Sequence, residues 1–148
     1  MLFRSIANWD VSSVTDTRAM FSDVNKVTDI SALAGWNVSS LIDMGGMFQR
    51  MTSITNLDAL ANWNISSATS LRALFYKDTS LANISGIANW STSGVTDMVG
   101  IFYGCSGVSD ISALSNWNTS SAASMSAMPF AQSASLCPVS ARSALAAS

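Results

Sequence analysis

The sequence predicts an α/β repeat protein, a solenoid of about five coils of 27 residues, and two periodic observations indicate this fold. The five tryptophans are all separated by the same 27-residue interval: Trp9, Trp36, Trp63, Trp90 and Trp117. Phenylalanine keeps that interval at Phe21, Phe48, Phe75 and Phe102. An unbroken period of this length is typical of solenoids, in which each copy buries its apolar face against its neighbours. Each coil should hold short parallel strands and a short capped helix, and a mostly-β solenoid is the alternative.

The period also sets the predicted domain organisation. Residues 1–128 form one solenoid domain, in which residues 1–8 are the end of a preceding partial coil. If each tryptophan is position 0, the copies are Trp9–Gly35, Trp36–Asn62, Trp63–Asn89, Trp90–Asn116 and an incomplete fifth from Trp117. After residue 128 the period fails, because Pro129 takes the phenylalanine position. Residues 129–148 are therefore expected to be an irregular tail or cap rich in Ala and Ser.

A short strand is predicted directly after each tryptophan, at positions 2 to 5. In the second copy the residues Val38, Ser39 and Leu41 show the apolar and polar alternation of a half-buried strand. Position 3 is serine in all five copies.

A capped helix of about two turns is predicted next. Position 7 carries residues that cap helix N-termini: Asp16, Asp43, Ser70, Asp97 and Ser124. Apolar residues follow at positions 8, 11 and 12, as in Met44, Met47 and Phe48, and this spacing places them on one helical face.

The second half of each copy is predicted to hold a short strand that leads into a tight helical turn. In Val27–Leu33 the apolar residues recur at every third place. Position 20 is Asp or Asn, whose short side chain hydrogen-bonds to nearby backbone groups in turns: Asp29, Asn56, Asn83 and Asp110.

Composition argues against several classes of function. Hydrophobic residues make up 49% of the chain, which suffices for a core, whereas charged residues make up 11% and the net charge is −2. No basic run is present, so neither a nucleic-acid groove nor a patch for anionic membranes is expected. No segment approaches the roughly 20 apolar residues of a membrane-spanning helix, and the first residues lack the pattern of a signal peptide.

The sequence also offers no catalytic, metal or cofactor site, so we expect a protein that is not an enzyme. It has no histidine, and all nine acidic residues are aspartate. The aspartates at position 7 are interpreted as caps, because Ser70 and Ser124 replace them without breaking the pattern, which a metal ligand would rarely tolerate. Two interpretations of Cys105 and Cys137 stay open: two small buried side chains, which we favour, or a disulfide that ties the tail to the last full coil.

Two runs carry a resemblance to a known family. They are Trp-Asn-Val-Ser-Ser-Leu-Ile-Asp-Met-x-x-Met-Phe at 36–48 and Trp-Ser-Thr-Ser-Gly-Val-Thr-Asp-Met-x-x-Ile-Phe at 90–102. This pattern resembles the tryptophan-containing repeat of BspA-type leucine-rich-repeat surface proteins. The segment Val-Thr-Asp-Ile-Ser-Ala-Leu-Ala at 27–34 is similar to internalin-type repeats. The resemblance implies a right-handed, leucine-rich-repeat-like coil and an extracellular or cell-surface protein that mediates adhesion or protein binding, with no catalytic residues to carry over.

Three functions remain open. The first is a module that binds a protein or a glycan, the second a structural subunit or scaffold within a larger assembly, and the third an ice-binding solenoid with rows of Thr and Ser. Because the tryptophans are expected in the core, a binding surface should lie on the variable polar and aromatic positions between the apolar columns. The candidate residues are Arg18, Gln49, Arg50, Arg72, Tyr76, Lys77 and Tyr103.

The tryptophan column yields the first testable prediction. Trp63→Ala, in the middle copy, should lower the free energy of unfolding by roughly 3–5 kcal/mol, because it removes a buried aromatic side chain and leaves a cavity. Thermal denaturation measures the change. An unaltered melting temperature would contradict an inward-facing tryptophan column.

Overall fold

The computed structural model describes residues 3–127, in which the helices are short and of the 3-10 type. Their bounds are Phe3–Asn8, Ser31–Leu33, Asp58–Leu60, Ser85–Ile87 and Ser112–Leu114. In place of extended strands, this part of the chain has isolated parallel bridges between residues 27 apart. These join Asp16 to Asp43, Asp43 to Ser70, Asn56 to Asn83, Ser70 to Asp97 and Asp97 to Ser124. Successive copies thus lie side by side in one register, and the right-handed leucine-rich-repeat-like coil stays a prediction.

The strand predicted at positions 2 to 5 is wrong, since these residues form a turn. The N–H of Leu41 donates to the carbonyl of Val38 at 3.0 Å, and the other copies repeat this contact. The side chain at position 1 promotes the turn, because the Asn37 Oδ1 accepts the N–H of Ser39 at 3.2 Å. Such a local hydrogen bond bends the chain and competes with an extended conformation. The alternation of side chains is real, but it belongs to a turn.

The helix predicted from position 7 is also wrong. Position 10 has a positive φ in every copy, for example 61° at Gly46 and 53° at Ala73, and one left-handed residue interrupts a right-handed helix. The helix was predicted from the spacing of apolar residues within one copy, and this spacing contains no information about contacts with other copies. Neighbouring copies offer carbonyl acceptors, and bonding to them overrides a weak helical preference.

In the segment at positions 8 to 15, the backbone hydrogen bonds alternate between bonds to the next copy and bonds within the same copy. The Gly46 N–H donates to the carbonyl of Arg72 in the next copy at 2.7 Å, whereas the following N–H, of Met47, donates back to Met44 at 3.1 Å. The Gly45 N–H donates to the Asp43 carboxylate, and with the alternating backbone bonds every N–H from Met44 to Met51 has a partner. Buried donors left without partners would be costly, so the alternation allows this segment to lie against the core.

The core consists of side chains stacked in columns. The Phe48, Phe75 and Phe102 rings are fully buried, with neighbouring centroids 5.7 and 5.5 Å apart. Trp63 is 4% exposed, and its Nε1 donates to the carbonyl of Leu33, near the end of the first copy, at 2.9 Å. Four tryptophans thus lie in the core, as predicted, whereas the prediction is wrong for Trp9. Trp9 is 53% exposed and serves as the matched control for Trp63→Ala, because its removal should cost less.

The tight helical turn predicted in the second half of each copy is present as a 3-10 helix. Position 20 supports it in the predicted way, since the Asp29 Oδ1 accepts the N–H of Ser31 at 2.8 Å and Asn83 does the same for Ser85 at 2.8 Å. Within residues 3–127 the strand expected before this turn appears only as the single bridge between Asn56 and Asn83.

Gly86 explains why that bridge forms between the second and third copies. Position 23 is alanine in the other complete copies: Ala32, Ala59 and Ala113. A Cβ added to Gly86 would lie 2.0 Å from the Leu57 carbonyl oxygen, so only glycine allows the backbones to approach this closely. Where Ala59 and Ala113 stand instead, clefts of about 510 and 210 Å³ separate the copies.

The second prediction tests this close approach. Gly86→Ala should lower the free energy of unfolding by roughly 1–3 kcal/mol, since the new methyl group forces the two backbones apart. Urea denaturation measures the change.

The reverse substitution Ala113→Gly is the control, and it should cost no more than about 1 kcal/mol, because it relieves no contact and only adds backbone freedom. Equal effects of the two substitutions would contradict the role given to Gly86.

Candidate interaction surface

The seven candidate residues all come from one segment of the repeat, positions 9 to 14, and we call them the strip. Position 9 supplies Arg18 and Arg72, position 13 supplies Gln49, Tyr76 and Tyr103, and position 14 supplies Arg50 and Lys77. Hydrogen bonds between copies hold these segments side by side. Gln49 and Tyr76 are half-buried and the other five are exposed.

The structure groups the strip residues into a set that lines a cleft, a set of contacting side chains and one ion pair. Arg18, Gln49 and Arg72 line a shallow polar cleft of about 350 Å³. Tyr76, Lys77 and Tyr103 contact one another further along the segment. Arg50 pairs with Asp23 in the preceding copy.

The two tyrosines form an exposed aromatic pair. Their ring centroids lie 5.2 Å apart with an angle of 11° between the planes, and Tyr103 is 44% exposed. The Lys77 Nζ lies 5.3 Å from the centroid of the Tyr76 ring, within the range of a cation–π contact. Each ring restrains its neighbours, so a partner would meet a surface that is already ordered.

The arginines of the strip are held in place by aspartates, which were not among the candidate residues predicted from the sequence. The Arg50 Nη2 donates to the Asp23 Oδ2 at 2.6 Å, and this hydrogen bond holds the pKa of Asp23 down at about 2. The Arg18 Nη2 lies 2.7 Å from the Asp16 Oδ2, and the pKa of Asp16 is lowered by its hydrogen bonds to Arg18. Arg72 lies 3.2 Å from Asp97. Opposite charges at position 14 of consecutive copies are the sequence signal that could have identified Asp23 as a partner.

The backbone under the strip is strained at position 14. Arg50 and Lys77 have φ values of 58° and 59°, and Asp23 has 64°. Residues with a Cβ rarely adopt this left-handed conformation, which glycine adopts freely, as Gly104 does in the fourth copy with a φ of 76°. Local strain of this kind is often found at functional sites. Charged residues are thus present where glycine would be more stable.

The aspartates at position 7 cap backbone groups, as predicted, although they cap a turn and not a helix. The Asp43 Oδ1 accepts the N–H of Gly45 at 2.8 Å, and the Ser70 Oγ accepts that of Arg72 at 3.5 Å. Across residues 3–127, the acidic and cysteine side chains form no group of three or more that is placed to hold a metal ion.

Cys105 is buried, and it has no disulfide partner within residues 3–127. Its Sγ donates to the Phe75 carbonyl at 2.9 Å, and burial raises the pKa of the thiol to about 12. Cys137 and the tail predicted at 129–148 lie outside the described residues.

Comparison with known proteins finds one family. Its model, described as "Mycoplasma protein of unknown function, DUF285", matches residues 2–83 and 51–138, which together make up most of the chain. No curated protein and no solved structure matches the chain. None of the helices within residues 3–127 has the length and apolar character required to cross a membrane.

The third prediction concerns the strain at position 14. Lys77→Gly should raise the free energy of unfolding by roughly 0.5–1 kcal/mol or leave it unchanged, because glycine relieves the left-handed strain at this position. Lys26→Gly is the control and should lower it by about 0.5–1 kcal/mol, because Lys26 has no positive φ to relieve. Chemical denaturation distinguishes the two, and a clear loss of stability in Lys77→Gly would show that position 14 is unstrained.

Proposed function

Because the chain belongs to the DUF285 family, whose function is unknown, we propose a function from its own geometry: a non-catalytic interaction or adhesion module. The strip is its contact surface, and its partner is a protein or a glycan.

The observation that carries this proposal is the gathering of the strip residues on one ordered, exposed segment. Tyrosine and arginine are enriched at protein interfaces, where they contribute much of the binding energy. Here two tyrosines are stacked and three arginines are paired with aspartates, so little side-chain entropy is left to lose on binding. Position 14 also keeps charged residues at a cost in backbone strain, which favours a role beyond folding.

The arrangement of the copies supports the proposed architecture. Hydrogen bonds and stacked rings link residues about one period apart through all the described copies, as a solenoid requires. Solenoids offer extended surfaces on which one position of the repeat forms a continuous row. The right-handed coil and the placement at the cell surface rest on the resemblance to BspA-type repeats.

The fourth prediction is that disrupting the strip abolishes capture of a partner. The immobilised chain is exposed to surface proteins and to a glycan array, beside a strip variant with Tyr76→Ser, Lys77→Ser and Tyr103→Ser. A partner should be retained by the original chain and lost from the strip variant, because the aromatic and charged contacts are gone.

The control variant carries three substitutions on a different exposed column, Thr28→Ala, Thr55→Ala and Ser109→Ala, and should retain the partner. The proposal is overturned if no protein or glycan binds the original chain more strongly than the strip variant.

A second candidate function is a structural subunit or scaffold in a larger assembly. The observation that favours it is the exposure of large apolar side chains within residues 3–127, since Trp9 is 53%, Ile42 is 46% and Met20 is 39% exposed. Large exposed apolar surfaces often mark contact sites. Light scattering distinguishes the two, since a scaffold subunit should associate in isolation whereas an independent module should stay monomeric.

Ice binding is the minor alternative, and the structure supplies a specific surface on which to test it. Position 6 forms an exposed row of threonines that Ile42 and Ala123 interrupt. The Thr96 hydroxyl in this row donates to the Thr69 carbonyl at 3.2 Å. Absence of thermal hysteresis at millimolar protein would end this idea.

A further inference from the structure

Asp78 is the one charged residue buried among residues 3–127. It stands at position 15, directly after Tyr76 and Lys77 of the strip. The same position holds apolar or weakly polar residues in the other complete copies: Val24, Met51 and Cys105. An aspartate in this column departs from the repeat, and the period provides no reason for it.

The carboxyl group of Asp78 is only half satisfied. Its Oδ1 accepts the N–H of Met51 at 2.8 Å, whereas Oδ2 is buried and has no hydrogen-bond partner. Burial of an ionised carboxylate is costly unless every oxygen is bonded or a cation lies close. Desolvation accordingly raises the pKa of Asp78 to about 8, because its effect is larger than that of the backbone hydrogen bonds, which lower the pKa.

Within residues 3–127, no cation lies close enough to Asp78 to offset this burial. The titratable group beside Asp78 in the next copy is the thiol of Cys105, which donates its own hydrogen bond to Phe75. In the preceding copy the Arg50 side chain pairs with Asp23, and within its own copy the Lys77 ammonium lies over the Tyr76 ring. Lys77, which precedes Asp78, and Arg50, which precedes Met51, are thus both engaged at the surface.

We propose that Asp78 is a pH-sensitive latch beneath the strip. When protonated, it stays in the core and holds the segment that carries Tyr76 and Lys77 against Met51. When it ionises, the carboxylate moves toward water and this part of the strip opens. The inference deepens the proposed function, since it regulates the same surface, and it rests on that function only for its effect on binding.

The direction of the pH effect follows from the proton balance. An aspartate in the open, solvated segment ionises near pH 4, whereas in the closed segment it keeps its proton up to about pH 8. Between these values opening releases a proton, so the closed state loses stability as pH rises. The population of the open segment should increase by about tenfold per pH unit and level off above the folded pKa.

Amide hydrogen exchange of the full chain tests the latch, with rates corrected for the intrinsic effect of pH. Between pH 5.5 and 8, peptides that cover 46–54 and 73–82 should lose about tenfold of their protection per pH unit in the original chain. Asp78→Asn keeps the acceptor for Met51 but cannot ionise, so its protection should not change. Asp58→Asn, an exposed aspartate in the second copy, is the matched control and should behave like the original chain.

Two results would overturn the latch: protection that does not depend on pH in the original chain, or the same slope in Asp78→Asn. If Asp78→Asn does not fold, Asp78→Met tests the same point, since methionine is the residue at position 15 of the second copy, Met51. Exchange needs no partner, so the latch stands or fails independently of the proposed function.

Once the pull-down identifies a partner, a latch that regulates the strip should make binding weaker at pH 8 than at pH 6. This pH dependence should be absent in Asp78→Asn. Equal binding at both pH values would overturn that regulatory role.

Discussion

The structure depends on one constraint, which is that the backbone of positions 8 to 14 must hydrogen-bond to the next copy. Alternate N–H groups donate outward, as from Gly46 to Arg72, and those between them donate back within the copy. An isolated copy could satisfy fewer than half of these donors. This explains why the described copies share one register and why position 10 is left-handed in each of them.

Because of that register, residues at the same position of successive copies form a column, and each column has one environment. Phenylalanine and tryptophan stack inside, where Phe75 is fully buried and Trp63 also bonds through its indole nitrogen. Positions 9, 13 and 14 face outward and vary from copy to copy. A residue's place in the repeat therefore decides whether a substitution affects stability or the surface, and Asp78 is unusual because it carries surface chemistry in a core column.

The period predicted the columns well, since it located the buried tryptophans, the capping role of Asp43 and the tight turn after Asp29. It failed for the strand because the alternation of side chains does not reveal the turn made when the Ser39 N–H donates to the Asn37 Oδ1. It failed for the helix because a local pattern does not contain the acceptors in the next copy. The strip residues were identifiable as variable and polar. Their aspartate partners were harder to predict, because the contacts of Arg18 with Asp16 and of Arg72 with Asp97 join different columns, and only Asp23 shares a column with its arginine.

Gly86 has a consequence for the shape of the whole stack. A single methyl group at position 23 decides whether neighbouring copies are in close contact, as at Gly86, or leave an open cleft, as at Ala113. The repeat thus carries an adjustable spacer that leaves the hydrogen bonds of positions 8 to 14 untouched. Exchange of alanine and glycine at this position alone would let one fold adopt arrays of different curvature, and so present the same outward columns at different angles to a partner.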